Sequence, residues 1–282
     1  MTNLLTPIAP LIASVITPVI TIARQAGEKI LQVYQQDFTV MDKADHTPLT
    51  QADLQAHEHI VASLRILTPD LPVISEESSP DEIAQRMSWT RYWLVDPLDG
   101  TKEFIKKNGE FTVNIALIDN GIAVFGVVYA PVPNTTWWGA QQQGVLKQPG
   151  AFKIQGNQPA QAIHVSAPPA SGQPWRVVGS RSHGSPAQEA FMQQLPDARL
   201  VPVGSSIKLC LVAEGRADLY PKLGPTGEWD TAAGQAVVEA AGGQVVAWPS
   251  LQTLRYNQRP DTLINPDFMV CAQPDEYWAG PR

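Results

Sequence analysis

A chain of 282 residues is long enough for one large domain or two closely joined ones, and it can bury a core without disulfides or a structural metal. Apolar residues at 44% and charged residues at 17% are ordinary for a globular fold, and no low-complexity block argues for disorder. The 27 acidic against 20 basic side chains, a net charge of −7, argue against a broad nucleic-acid surface but leave room for a small anion held by clustered lysines or bound cations.

From Thr2 to Ala23 no residue is charged, and Pro7, Pro10 and Pro18 punctuate the stretch. Arg24, Glu28 and Lys29 then continue the same helical pattern, and no basic leader precedes it. This predicts a buried or groove-packed helix over residues 10–36 rather than a membrane span, and it leaves peripheral attachment to a membrane surface open. Cys210 and Cys271 have neither metal-ligand nor secreted-disulfide spacing, so the expected compartment is the cytoplasm, or the cytoplasmic face of the inner membrane if that helix attaches. In a reducing compartment the sequon at Asn134-Thr135-Thr136 has no role.

An extended piece near 38–41 precedes Thr50-Gln51-Ala52-Asp53, which has capping-box form and opens a helix through Leu54, His57, Ile60, Val61 and Leu64. Pro72-Val73-Ile74 reads as a strand ending at Glu76-Glu77, and Tyr92-Trp93-Leu94-Val95 as a buried strand ending at Asp96-Pro97. From Phe111 the period becomes two, with Asn120-Gly121 marking a hairpin between 112–118 and 122–129. Strands continue to about Ile154, and 156–169, rich in Gln, Pro and Ala, reads as a seam. The expected division is an N-terminal α+β half, 1–155, and a C-terminal α/β half, 156–282. Strands at 175–178, 200–203 and 217–220 alternate there with helices at 186–194, 205–213 and 229–241.

The chemistry-bearing segment is Asp96-Pro97-Leu98-Asp99-Gly100-Thr101. Pro97 fixes φ and Gly100 admits a close backbone approach, so a turn is expected, with two carboxylates facing one another. Such a pair calls for a raised pKa or a hard cation, and oxygen-only donors favour Mg²⁺ or Mn²⁺ over zinc. Each acid has an ordinary alternative: Asp99-Gly100 suits a surface turn, Glu76-Glu77 a solvated strand end, and Asp53 and Asp230 helix caps.

Taken together, Thr50-Gln51-Ala52-Asp53, Ser75-Glu76-Glu77-Ser78, Asp96 to Thr101 and Trp229-Asp230-Thr231-Ala232-Ala233-Gly234 resemble, in order and over nearly the whole chain, the inositol monophosphatase superfamily. The resemblance implies a layered αβαβα sandwich of α+β class and a phosphomonoesterase using two or three Mg²⁺ ions, with lithium as an inhibitor. It implies that Glu76, Asp96 and the Leu98 carbonyl hold one metal and Asp96, Asp99 and Asp230 a second. Asp53 and Thr101 would orient the attacking water, and Gly100 and Thr101, with Glu76 and Asp230, would meet the substrate.

Asp99-Gly100-Thr101-Lys102-Glu103-Phe104, followed by Asn108-Gly109-Glu110-Phe111-Thr112-Val113-Asn114, is similar to the bacterial 3′(2′),5′-bisphosphate nucleotidase branch, as are Gly179-Ser180-Arg181-Ser182-His183, Gly204-Ser205-Ser206-Ile207-Lys208 and Tyr220 to Thr226. That branch implies removal of the 3′-phosphate of adenosine 3′,5′-bisphosphate, a by-product of sulfate assimilation, with most metal ligands in the half 1–155 and with the half 156–282 completing the active site and binding the nucleotide. Arg181, His183 and Lys208, with Ser205 and Ser206 at a helix start, are the candidates for the non-reacting phosphate. An inositol or other sugar phosphatase with the same metal site is the alternative. A serine hydrolase built on Ser182 and His183 lacks the first glycine of a nucleophile elbow, and Walker and Rossmann fingerprints are absent.

Overall fold

A computed structural model describes residues 7–36, 39–42, 48–141, 150–180, 186–195, 197–275 and 278. Helix α1 (Ile8–Tyr34) buries Ile12, Val15, Val19, Ile22, Ala26, Ile30 and Val33, a stripe recurring every three or four residues. Among the described residues α1 alone is long and apolar enough to cross a membrane, yet this stripe packs into the core. The short pair β1 (Val40–Asp42) and β2 (Pro48–Thr50) leads to α2 (Gln51–Leu67). The predicted capping box forms there: Asp53 Oδ2 accepts from Thr50 N at 2.7 Å and from Thr50 Oγ1 at 2.6 Å.

The first sheet has seven strands in chain order: β3 (Val73–Ser75), β4 (Arg91–Asp99), β5 (Thr112–Asp119), β6 (Ile122–Ala130), β7 (Thr135–Ala140), β8 (Gly150–Gln155) and β9 (Gln161–Ile163). Only the β3–β4 pair is parallel. Short helices α3 (Pro80–Ile83) and α4 (Thr101–Ile105) flank β4 in the chain. Asn120 at φ 51° and Gly121 at φ 76° make the two-residue β5–β6 turn, where the left-handed backbone matches the strand twist. The stretch read as a seam contains β9, which pairs with β8 at the edge of this sheet.

The second half gives β10 (Arg176–Gly179), α5 (Pro186–Met192), β11 (Arg199–Pro202), α6 (Ile207–Ala213), β12 (Leu219–Lys222), α7 (Glu228–Ala240), β13 (Gln244–Ala247), β14 (Gln252–Thr253) and β15 (Phe268–Cys271). These strands form a six-stranded sheet in the order β11-β10-β12-β15-β13-β14. The last three strands lie beyond the sequence expectation, and β15 occupies the sheet interior between β12 and β13.

Alternation along each strand sorts the core into layers. On β4, Trp93 and Val95 face the cluster containing α1 and α2, whereas Tyr92 and Leu94 face the one containing α6 and α7. On the second sheet, Val178, Tyr220 and Phe268 face that same helical layer, and Val177, Leu219 and Met269 turn outward to Phe191 and Trp278. Both faces of each sheet are covered, which explains the nearly continuous apolar runs. The result is the expected α+β sandwich of αβαβα type. Helix α7 lies so close to the first sheet that a Cβ on Gly126 would stand 2.3 Å from the Ala233 carbonyl oxygen.

Candidate metal and phosphate site

In a regular strand, residues three apart point to opposite faces. Asp96 pairs with Asn114 and Asp99 with Thr112, so three steps along β4 oppose two along β5. This bulge of one residue turns both carboxylates to one side. The segment is therefore an irregular strand end rather than the free turn expected from its sequence. Pro97 sits within the irregularity, where a missing N–H costs least, and Leu98 N donates to Asp96 Oδ1 at 2.9 Å.

Asp230 arrives from the other half as the third residue of α7, with its Oδ2 accepting from Gly227 N at 2.9 Å. One carboxylate oxygen from each of Asp96, Asp99 and Asp230 lies within 4.8 Å of the others. Glu76 follows β3, fixed by its N–H to the Val95 carbonyl at 3.0 Å, and lines the same cleft. Burial first, then Glu76, Asp99 and Asp230, push the Asp96 carboxyl well above the usual carboxylate range. Burial, then Asp99 and Glu76, push Asp230 in the same direction. Carboxyls raised by one another in a closed oxygen-only cluster are relieved by a hard divalent cation, so the residues present fit such an ion.

Thr101 begins α4 behind Gly100, whose φ of 95° needs a residue without a side chain. Thr101 Oγ1 lies 3.3 Å from Asp53 Oδ1 and 3.3 Å from the Leu98 carbonyl, so the α2 cap and the β4 end converge on one hydroxyl. Asp53 thus serves the helix through one oxygen and Thr101 through the other.

Beyond the carboxylates the cleft, about 600 Å³, runs past Ser205, Lys208, Tyr220, Lys222 and the loop Leu223-Gly224-Pro225-Thr226, a size suited to a small ligand. Lys208 is buried, its Nζ donating to the Ser205 carbonyl at 2.6 Å and standing 5.4 Å from the Tyr220 ring centre. Burial pulls both lysines below the ordinary lysine pKa, while Asp99 and Asp230 act in the opposite direction on each. Lys222 and Lys102, which also lines the cleft, were absent from the sequence reading of the site. Lys222 had a signal, since it lies inside the Tyr220 to Thr226 segment that carried the branch resemblance.

Ser206 departs from its expected role. Its N–H and hydroxyl both reach Asp99 Oδ2 at 2.6 Å, so its donors face a carboxylate rather than a substrate phosphate. Arg181 and His183 lie outside the described residues, as does Ser182.

The end of β3, the bulged end of β4 and the start of α7 bring Glu76, Asp96, Asp99 and Asp230 to one cleft, an arrangement that defines the class: residues 12–276 match the inositol monophosphatase family, and the chain belongs to it. Among curated relatives, the 3′(2′),5′-bisphosphate nucleotidase CysQ of Escherichia coli K12 is 49% identical, covering 88% of this chain and 96% of that protein. CysQ of Haemophilus influenzae is 35% identical over 92% of this chain and 93% of its own length. Among solved structures, CysQ of Bacteroides thetaiotaomicron superposes with a TM-score of 0.77 at 40% identity, covering 95% of this chain and 98% of that one.

Proposed function

We propose that this chain is a magnesium-dependent 3′(2′),5′-bisphosphate nucleotidase that removes the 3′-phosphate of adenosine 3′,5′-bisphosphate and leaves AMP. The observation that carries this reading is the lining of one cleft, where the carboxylates of Glu76, Asp96, Asp99 and Asp230 stand together with Lys208 and Lys222. A substrate with two phosphates matches a lining that offers both metal-binding carboxylates and lysines, and the names of the similar nucleotidases support that choice.

Glu76, Asp96 and the Leu98 carbonyl would hold one Mg²⁺, and Asp96, Asp99 and Asp230 a second. When bound, such ions supply Lewis acidity at phosphorus and lower the pKa of a coordinated water. Thr101 Oγ1, donating its proton to Asp53, keeps lone pairs for a proton of the attacking water and orients it. Gly100 and Thr101 bring backbone N–H groups to the reacting phosphate. Lys222 and Lys208, with Ser205, hold the second phosphate by charge-assisted contacts. Arg181 and His183 belong to the same proposed phosphate set on sequence grounds alone. Two buried thiols, Cys210 and Cys271, suit a reducing cytoplasm.

The test is phosphate release from adenosine 3′,5′-bisphosphate with and without Mg²⁺, with the nucleotide product separated by chromatography. The reading predicts adenosine 5′-monophosphate as the nucleotide product and no release under chelation. Release that persists under chelation, or a 3′-phosphorylated product, would contradict it.

A further inference from the structure

Within the segment Asn108 to Asn114, neither Glu110 nor Asn114 lines the cleft. Both instead grip the turn at 204–206 that the second half presents. Glu110 Oε2 accepts from Gly204 N at 2.9 Å, and Asn114 Nδ2 donates to Ser206 Oγ at 2.8 Å. Gly204 is clamped so tightly that a Cβ there would stand 2.7 Å from Glu103 Cγ and 2.8 Å from the Glu110 carbonyl. Ser205, at φ 51°, turns the chain through the left-handed region and directs the next N–H at Asp99.

We propose that Glu110 and Asn114 are positioning residues for Asp99, Glu110 by holding the turn at Gly204 and Asn114 through Ser206; the proposal rests on the reading of Asp99 as a metal ligand. A serine hydroxyl has one proton. Asn114 donates into Ser206 Oγ, so that proton points away from Asn114, toward Asp99 Oδ2 at 2.6 Å or the Asp230 carbonyl at 2.7 Å. With the Ser206 N–H also at 2.6 Å, Asp99 Oδ2 is occupied by protein donors, which fixes the carboxylate's rotation and leaves its other oxygen to offer a cation. Asn114 is fully buried and Ser206 is 2% exposed, so no water substitutes for a lost partner. Asn114 Oδ1 has no hydrogen-bond partner among the described residues. A buried amide with one end unsatisfied costs stability, which a residue serving only the core would avoid.

Calorimetric titration of the metal-free protein with Mn²⁺, alongside thermal melting, tests this without recourse to activity. Asn114→Leu should weaken Mn²⁺ binding about tenfold, the range for losing an outer hydrogen bond to a ligand. Ser206→Ala should weaken it similarly, and adding Asn114→Leu to Ser206→Ala should change little more, since the two act in one chain. Glu110→Ala should weaken binding a few-fold, whereas Glu110→Gln should restore it, because an amide oxygen still accepts from Gly204 N. If leucine at 114 prevents folding, the half-buried Glu110 pair carries the test alone. Undiminished binding in Asn114→Leu and Glu110→Ala, or fully additive losses at 114 and 206, would overturn the proposal. Binding undiminished in Asp99→Asn would instead remove the ligand reading beneath it.

Discussion

Among the carboxylates of the cleft, burial and mutual repulsion push Asp96 and Asp230 toward the protonated form; among its lysines, burial pushes Lys208 and Lys222 toward the neutral amine. The difference lies in what opposes burial. Each acid is pushed further by its acidic neighbours, whereas each lysine is held charged by Asp99 and Asp230. A cation among the carboxylates therefore relieves the acids and weakens the field that supports the lysines. An anion is then the partner the lysines require, so metal and bisphosphate should favour one another's binding.

The strongest way to break this comparison is at its acidic end. Asp99→Asn keeps the hydrogen-bonding shape but removes a charge, and it should fold normally while losing about a thousandfold or more of the Mg²⁺-dependent rate, since metal catalysis is worth several kcal/mol. Steady-state rates within about threefold of wild type in a protein that melts normally would exclude Asp99 as a ligand. At the basic end the expected effect is smaller and selective. Lys222→Ala should lower kcat/KM for adenosine 3′,5′-bisphosphate about ten- to a hundredfold, the worth of one charge-assisted contact, and barely alter turnover of a monophosphate ester. Equal losses on both substrates would make Lys222 structural.

Glu239 sharpens the comparison with the smallest effect, because it is a half-buried acid whose side chain meets the amides of Gln235 and Gln141. Burial raises it to about 7 from its usual 4.5. The folded state therefore keeps a proton that the unfolded chain releases between those values, and stability falls as pH rises through that window. Melting scans from pH 4 to pH 8 should show a shallower fall for Glu239→Gln than for wild type. Mg²⁺ should raise the melting temperature of both proteins at pH 8 without removing the difference between them. Identical scans would show that burial alone does not perturb this carboxylate.

The early elements were legible because their signals are local, whereas the acids were legible only together, as four segments in one order over nearly the whole chain. Thr50 and Asp53, Asn120-Gly121 and the apolar run before Asp96 each carry a cap, turn or strand rule in adjacent residues. Asp53 and Asp230 looked explicable as helix caps and are caps; a carboxylate has two oxygens, so capping did not exclude a place at the site. Strands β13 to β15 were not legible: they have two to four residues and stand among Pro249, Pro260 and Pro266, and β15 owes its place to β12, some fifty positions earlier. Ser206 was misplaced for a similar reason. Its position before a helix suggests anion binding, but the acceptor its donors meet is a carboxylate on β4, more than a hundred residues away.

The most direct measurement is the ratio of kcat/KM for adenosine 3′,5′-bisphosphate to that for inositol 1-phosphate, taken with the same enzyme at saturating Mg²⁺. Carboxylates that hold metal and lysines that hold a second phosphate predict a ratio of at least about tenfold in favour of the bisphosphate, the worth of one charge-assisted contact. A ratio near one, or a preference for the inositol ester, would contradict the role given to the lysines while leaving the carboxylate cluster as a metal site.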